Sequence, residues 1–248
     1  MSSVQTIIFS PHLDDAVFSL GGTLIIGALG TVRVVNIYTT SRYSVSGNLD
    51  PASVTETRMA EDRTAMAMLG IEAEYWGFED TTMKQQRYPD EASYLDPNAD
   101  PLRDDSWGEV FERINATFAR FPQALFLAPL GIGHHIEHRI VAQCCLPHGN
   151  RGPVVGFYED GTYFRDQAYS RQCAAEFGLA ESVTIAGPEY DRKARLIDIY
   201  ASQLDASIRQ NIRIAFHRNS GESIWTWSNL IDRIKNMVTA TNDAKAFG

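Results

Sequence analysis

The chain has 248 residues and a net charge of −9, from 22 Lys and Arg against 31 Asp and Glu. That acidic balance argues against nucleic acid or an anionic membrane surface as a partner. With 44% hydrophobic and 21% charged residues the composition is that of an ordinary globular domain, long enough for one α/β unit over residues 1–248. No apolar run approaches the 18 or so residues that would cross a bilayer. Met1 to Gln5 lacks the basic region of a signal peptide. Three cysteines, Cys144, Cys145 and Cys173, two of them adjacent, predict buried thiols rather than disulfides, and with them a cytoplasmic location.

Val4 to Phe9 is β-branched and apolar, the pattern of a buried strand, and Ala16 to Leu29 follows as a small-residue helix. Thr31 to Thr39 is a second strand, so the opening is a βαβ unit, right-handed and parallel. Thr40 to Ser53 is a polar loop leaving the same sheet edge, where it can wall a pocket. Val54 to Gly70 predicts a helix with Thr55 as its cap, and Ile71 to Trp76 a third strand. Arg58 and Glu61, three apart on one helix face, read as an exposed ion pair unless Arg58 faces a ligand. Gly77 to Ser106 contains Pro89, Pro97 and Pro101, has no clean period, and reads as a functional lid or an insertion.

A helix from Trp107 to Phe121 leads into a buried strand, Ala124 to Ala128, stopped by Pro129. The turn Gly131-Ile132-Gly133 then opens a helix that runs through Cys145. Val154 to Tyr158 is a further strand, continued by Glu159-Asp160-Gly161. Beyond Arg165 the pattern weakens; Arg192–Leu204, Ile208–Phe216 and Ile224–Val238 predict helices, and the last ten residues a frayed tail. The expected fold is α/β, a single Rossmann-like three-layer domain with a mainly parallel sheet and a helical C-terminal extension.

Two strand ends carry the chemistry. Pro11-His12-Leu13-Asp14-Asp15 ends the first strand, and His134-His135-Ile136-Glu137-His138 follows the fourth. In open α/β sheets the carboxyl edge of the strands is where ligands bind. Two histidines and one carboxylate make a three-ligand site with a position open to water, the pattern of catalytic rather than structural zinc. Neighbours on a turn diverge, so of Asp14 and Asp15 one can bind metal while the other stays free as a base. Metal-activated water beside a carboxylate suits attack on an amide or ester carbonyl. His134 reads as a polar turn residue, and His148 and His217 as surface residues. No Gly-x-Gly-x-x-Gly, phosphate-binding loop or Gly-x-Ser-x-Gly elbow is present, and Gly21-Gly22 lies deep in a helix, where it allows close packing on the sheet. Metal chemistry therefore leads over a non-catalytic Rossmann-like small-molecule-binding protein.

Pro11-His12-Leu13-Asp14-Asp15, Gly21-Gly22-Thr23-Leu24 and His135-Ile136-Glu137-His138 together resemble the PIG-L (LmbE-like) family of zinc-dependent N-deacetylases. Arg58-Met59-Ala60-Glu61 with Leu69-Gly70, and Tyr200-Ala201-Ser202-Gln203, resemble its later motifs. The resemblance implies removal of an N-acetyl or other N-acyl group from an amino-sugar or natural-product conjugate. It implies one Zn2+ per chain, with another divalent ion left open, held by His12, Asp15 and His138. Asp14 matches the general base, His135 the acid or oxyanion stabiliser, Glu137 the residue that orients His135, and Arg58 a substrate contact. The implied partner is a small N-acylated molecule, with no nucleic acid and no membrane; homo-oligomerisation is left open.

The chain departs from the family's usual His-Pro-Asp-Asp-Glu at Leu13 and Ala16, and from His-Pro-Asp-His at Ile136 and Glu137. Such forms resemble members from specialised bacterial biosynthesis. The alternative is an amidase acting on a non-sugar amide or thiol conjugate. Specificity is expected to reside in Thr40–Ser53, Gly77–Ser106 and the C-terminal third.

Overall fold

The computed structural model describes residues 5–47, 50–146 and 152–246, the side chains of 239–246 excepted. His148 lies outside the described residues. Its centre is a seven-stranded sheet of β1 (Thr6–Ser10), β2 (Val32–Thr40), β3 (Glu72–Glu79), β4 (Leu125–Pro129), β5 (Val154–Tyr158), β6 (Glu181–Ile185) and β7 (Glu222–Thr226). The order across the sheet is β3-β2-β1-β4-β5-β7-β6. The first five strands run parallel, and β7 lies antiparallel to both β5 and β6. Every residue of β1, β4 and β5 is buried, as parallel strands covered on both faces require.

The helices are α1 (Asp15–Ile26), α2 (Pro51–Leu69), α3 (Glu91–Tyr94), α4 (Trp107–Arg120), α5 (Ile136–Cys145), α6 (Gln167–Glu176), α7 (Tyr190–Ile197), α8 (Ala206–Asn219) and α9 (Ile231–Ala246). Alternation along β1 sorts them into two layers. Ile7 and Phe9 join one core with Ile114 and Phe118 of α4 and Ile140 of α5. Ile8 joins the other, with Leu20 of α1, Met66 of α2, Leu196 of α7 and Ile212 of α8. The three-layer, mainly parallel α/β architecture expected from the sequence is the one observed.

The C-terminal extension differs from expectation. It is not purely helical: β6 and β7 extend the sheet, and Ile224 lies in β7 rather than in a helix. The reversal needs Ser220 and Gly221 at positive φ, 53° and 150°, and all five residues of the short Glu-Ser-Ile-Trp-Thr run after it are buried. The predicted helix Arg192–Leu204 ends at Ile197, which puts Tyr200, Ser202 and Gln203 in a turn. Gly77 to Ser106 is ordered: Asp104 accepts from Ser106 N–H at 2.9 Å, from Tyr88 hydroxyl at 2.7 Å and from Lys84 Nζ at 3.1 Å. The cap of α2 is Asp50, accepting from Ser53 N–H at 3.1 Å; Thr55 instead exchanges bonds with the backbone of Ser41.

Gly21-Gly22 packs against α7, α8 and Glu222, the first residue of β7. A Cβ on Gly22 would lie 2.9 Å from the Phe216 ring and 3.2 Å from Glu222 Oε1. The missing side chain lets Glu222 reach the α1 backbone, where it accepts from Gly22 N–H at 2.9 Å and Thr23 N–H at 2.7 Å. Lys193 Nζ completes the cluster 2.6 Å from Glu222 Oε1.

Candidate active site

After β3 the chain crosses back to place β4 on the other side of β1, so the strand order reverses between these two neighbours. A crevice opens at the carboxyl end of such a reversal. Both histidine-bearing turns lie there. The first is tied by Ser10, whose hydroxyl donates to His12 O at 2.6 Å and accepts from Ala16 N–H at 3.0 Å. Asp15 Oδ2 accepts from His12 N–H at 2.8 Å, folding its carboxylate back beside the imidazole. The second turn uses Gly131 and Gly133 at positive φ to swing His135 and His138 toward the first.

His12 Nδ1, Asp15 Oδ2 and His138 Nε2 form a triangle with sides of 3.0, 3.2 and 3.3 Å. An ion bound tetrahedrally at about 2.0–2.2 Å separates its ligand atoms by about 3.3–3.6 Å. The donor set and its spacing fit zinc or a similar divalent ion, with the fourth position open. His12 is also grouped within 4.8 Å with His135 and His138, and with Asp14 and Asp15. Each imidazole of the triangle turns its far nitrogen to a carboxylate: His12 Nε2 to Glu137 Oε2 at 2.7 Å, His138 Nδ1 to Asp160 Oδ1 at 2.5 Å. Such outer carboxylates fix the tautomer and raise the basicity of metal-bound histidines.

Asp160 was not singled out in the sequence, and Ile132 N–H anchors its second oxygen at 2.9 Å. Its signal was present in Glu159-Asp160-Gly161, which ends the next strand along the same edge. The expectation for Glu137 is corrected. Its carboxylate lies 3.9 Å from His135 Nδ1, too far for a hydrogen bond, and belongs to His12. The methylene that distinguishes Glu from Asp carries it past its neighbour. What His135 receives is the backbone N–H of Glu137, 3.3 Å from Nδ1. Nδ1 therefore accepts, and the neutral ring carries its proton on Nε2. Burial, then repulsion from His12 and His138, holds the His135 pKa well below its usual value, so the ring stays neutral.

Asp14 and Asp15 separate as the turn geometry requires. Asp15 belongs to the ligand triangle; against the cost of burial, His138 and His12 hold its carboxyl well below the usual range. Asp14 lines the adjacent cavity, and burial together with the Asp15 charge pushes its pKa up. Arg58 Nη2 stands 3.9 Å from Asp14 Oδ1. Arg58 is only 3% exposed, so the exposed pair with Glu61 is not formed. It donates to Ser41 Oγ at 2.6 Å and faces Asp80 at 3.5 Å. Glu61 instead accepts from Ser202 N–H at 2.8 Å and Ser202 Oγ at 2.6 Å, and Tyr200 hydroxyl donates to Asp62 at 2.9 Å. These three bonds brace α2 against the C-terminal third.

The cavity beside the triangle measures about 330 Å³. Tyr43, Glu91, Tyr94 and Asp205 line it, from the three segments expected to hold specificity, together with Tyr163. His134 stands apart from the cluster, at φ 65° with Nε2 2.9 Å from Tyr169 hydroxyl. His217 is exposed in the last turn of α8. Cys144, Cys145 and Cys173 are free and buried, and burial raises all three thiol pKa values.

Against burial, Asp15 and Asp160 raise the pKa of His138 to about 9. A cation must displace that proton, so loading at pH 7 should release acid and metal affinity should rise with pH. Below about pH 9 each unit of acidification should weaken binding about tenfold per displaced proton. Titration with metal at several pH values in lightly buffered solution measures both quantities.

Residues 7–147 match the PIG-L family model, described as GlcNAc-PI de-N-acetylase. The chain belongs to the PIG-L family. Membership makes it a hydrolase of the N-deacetylase type, acting on C–N bonds other than peptide bonds. It is 30% identical over 236 residues to the 2'-N-acetylparomamine deacetylase of Streptomyces fradiae, covering 90% of this chain and 81% of that one. Teicoplanin deacetylase Orf2, solved in a zinc-inhibited form, superposes with a TM-score of 0.63 at 21% identity, over 90% of this chain and 97% of the other. N,N'-diacetylchitobiose deacetylase from Pyrococcus horikoshii gives a TM-score of 0.60 at 16% identity, over 90% and 84%. Both structures share the PIG-L fold. No helix among the described residues is long and apolar enough to cross a membrane.

Proposed function

We propose that this PIG-L chain, acting as a single cytoplasmic domain, hydrolyses the N-acetyl group of a small amino-sugar natural-product intermediate. The observation that carries the reading is the triangle of His12, Asp15 and His138 opening onto a cavity that also holds Asp14 and His135. His12, Asp15 and His138 would hold a divalent cation, which when bound would supply Lewis acidity toward water and the acyl carbonyl. Asp14 takes a proton from the attacking water; its raised pKa suits it to return that proton to the leaving amine. His135 Nε2–H donates to the developing oxyanion, a role for a neutral ring that needs no proton transfer. Glu137 and Asp160 keep His12 and His138 oriented.

The test is metal content together with acetate release from N-acetylated amino sugars, with zinc and other divalent ions supplied in turn. His138→Ala should keep the fold and lose stoichiometric metal and activity. Full, tight occupancy in that variant would sink the assignment.

Arg58 acts both as a substrate contact and as the cation beside Asp14. Its removal disfavours the Asp14 carboxylate, so the Asp14 pKa should rise in Arg58→Ala. The acidic limb of the pH–rate profile should then move to higher pH while kcat/KM falls. An unmoved limb would separate Arg58 from Asp14. Because Arg58 is buried, this variant should also lose stability, unlike an exposed ion pair.

A further inference from the structure

The mouth of the cavity is rich in acceptors and poor in free cations. Glu91, in the single turn α3, and Asp205, the N-cap of α8, both line it. Among the described residues neither carboxylate has an ion-pair partner, and Arg58, the one permanent cation on the wall, is engaged by Asp14 and Asp80. An acidic rim alone would mean only solvation. Gln203 adds an independent feature. It is 1% exposed and lines the same cavity, its Nε2 donates to Ser202 Oγ at 2.7 Å and to Tyr43 O at 3.3 Å, and its Oε1 has no partner among the described residues.

A buried acceptor left open asks for a donor. An ammonium, with three donors and a charge, can meet two carboxylates and an amide oxygen together, whereas a hydroxyl brings one donor and no charge. The cavity's 330 Å³ lies at the small end of the range for ligand pockets, about 300–1,000 Å³, which suits a compact sugar rather than a large conjugate.

We propose that Glu91, Asp205 and Gln203 form a cation subsite that takes a free ammonium group of the substrate. On the deacetylase reading, on which this rests, the substrate is an amino sugar bearing at least one unacylated amine besides the N-acetyl group. The negative rim draws such a cation in and holds it with its acetamide toward Asp14 and His135, so the charge serves orientation and capture.

The experiment compares metal-loaded wild type with Glu91→Gln, Asp205→Asn and the double variant. Asn caps a helix as well as Asp, so α8 should keep its start, and melting temperatures check this. Acetate release is measured from a mono-N-acetylated diamino sugar and from neutral N-acetylglucosamine, at low and high salt. The ratio of kcat/KM for the cationic over the neutral substrate should fall about 3- to 10-fold per neutralised carboxylate. High salt should lower the wild-type ratio in the same direction. In parallel, calorimetry follows binding of the corresponding fully deacetylated diamine, which needs no turnover. Wild type should bind it in a salt-sensitive manner and the double variant should bind it less tightly. A ratio and a diamine affinity that do not change in the double variant overturn the subsite. If wild type releases acetate from neither substrate, the deacetylase reading fails, and the diamine titration decides the subsite by itself.

Discussion

Asp14→Asn should keep its metal and its substrate affinity and lose about 10²–10⁴-fold in kcat. The two adjacent carboxylates are chemically identical, so the turn alone divides their work. Asp15 is drawn into the triangle by His12 N–H at 2.8 Å and His138 Nε2 at 3.2 Å, whereas Asp14 makes no such contact and faces the cavity. An amide at Asp14 preserves shape and removes the base, so the acidic limb of the pH–rate profile should vanish with the rate. The residual activity comes from the bound cation and the His135 donor, which survive the change. Asp15→Asn should do the reverse: weaker metal binding, with rate partly restored by added metal. Metal content, KM and kcat measured on both variants decide it. Loss of metal from Asp14→Asn with retention by Asp15→Asn would exchange the two roles.

Glu222→Ala should destabilise the fold by about 3–5 kcal/mol, which for a chain of this size is a fall in Tm of roughly 6–20 °C. The substitution strands the Lys193 ammonium, 2% exposed, and leaves the N–H groups of Gly22 and Thr23 without their acceptor. Replacing both charges, as in Glu222→Gln with Lys193→Met, should recover most of the loss, because the cost lies in the unpaired charge rather than in the pair. Thermal unfolding of the three proteins is sufficient. An unchanged Tm in Glu222→Ala would mean that water reaches the cluster.

The five parallel strands and the two histidine turns were legible because their signals are local: continuous apolar runs, then polar residues at a strand end. What the sequence hid was reach. Glu137 sits two residues from His135 yet serves His12, since one added methylene changes which imidazole it meets. Arg58 and Glu61 share helical spacing but point into different neighbourhoods, set by Ser41 and Ser202 from distant segments. Gly21-Gly22 read as a device for packing on the sheet, and it is a packing device, but its partners lie about 170 to 200 positions away, in α7, α8 and the β7 residue Glu222. The β7 strand was missed because its five residues draw their stability from two antiparallel neighbours, and a run that short carries little periodicity of its own.

The ligand triangle joins positions 126 residues apart, since His12 follows β1 and His138 opens α5 after β4. Seen as a cross-link, the cation would close a loop of 126 residues in the parallel half of the sheet, as a disulfide does in a secreted protein. Its donors meet only after β1 and β4 have paired, so an unfolded chain offers no comparable cradle. Binding to the native state alone stabilises it by mass action, about 2.7 kcal/mol when the free ion stands at a hundred times its Kd. An ion bound there would thereby also fasten the two halves of the strand order at the point where they diverge, and chelation should be felt as lost thermal stability as well as lost turnover.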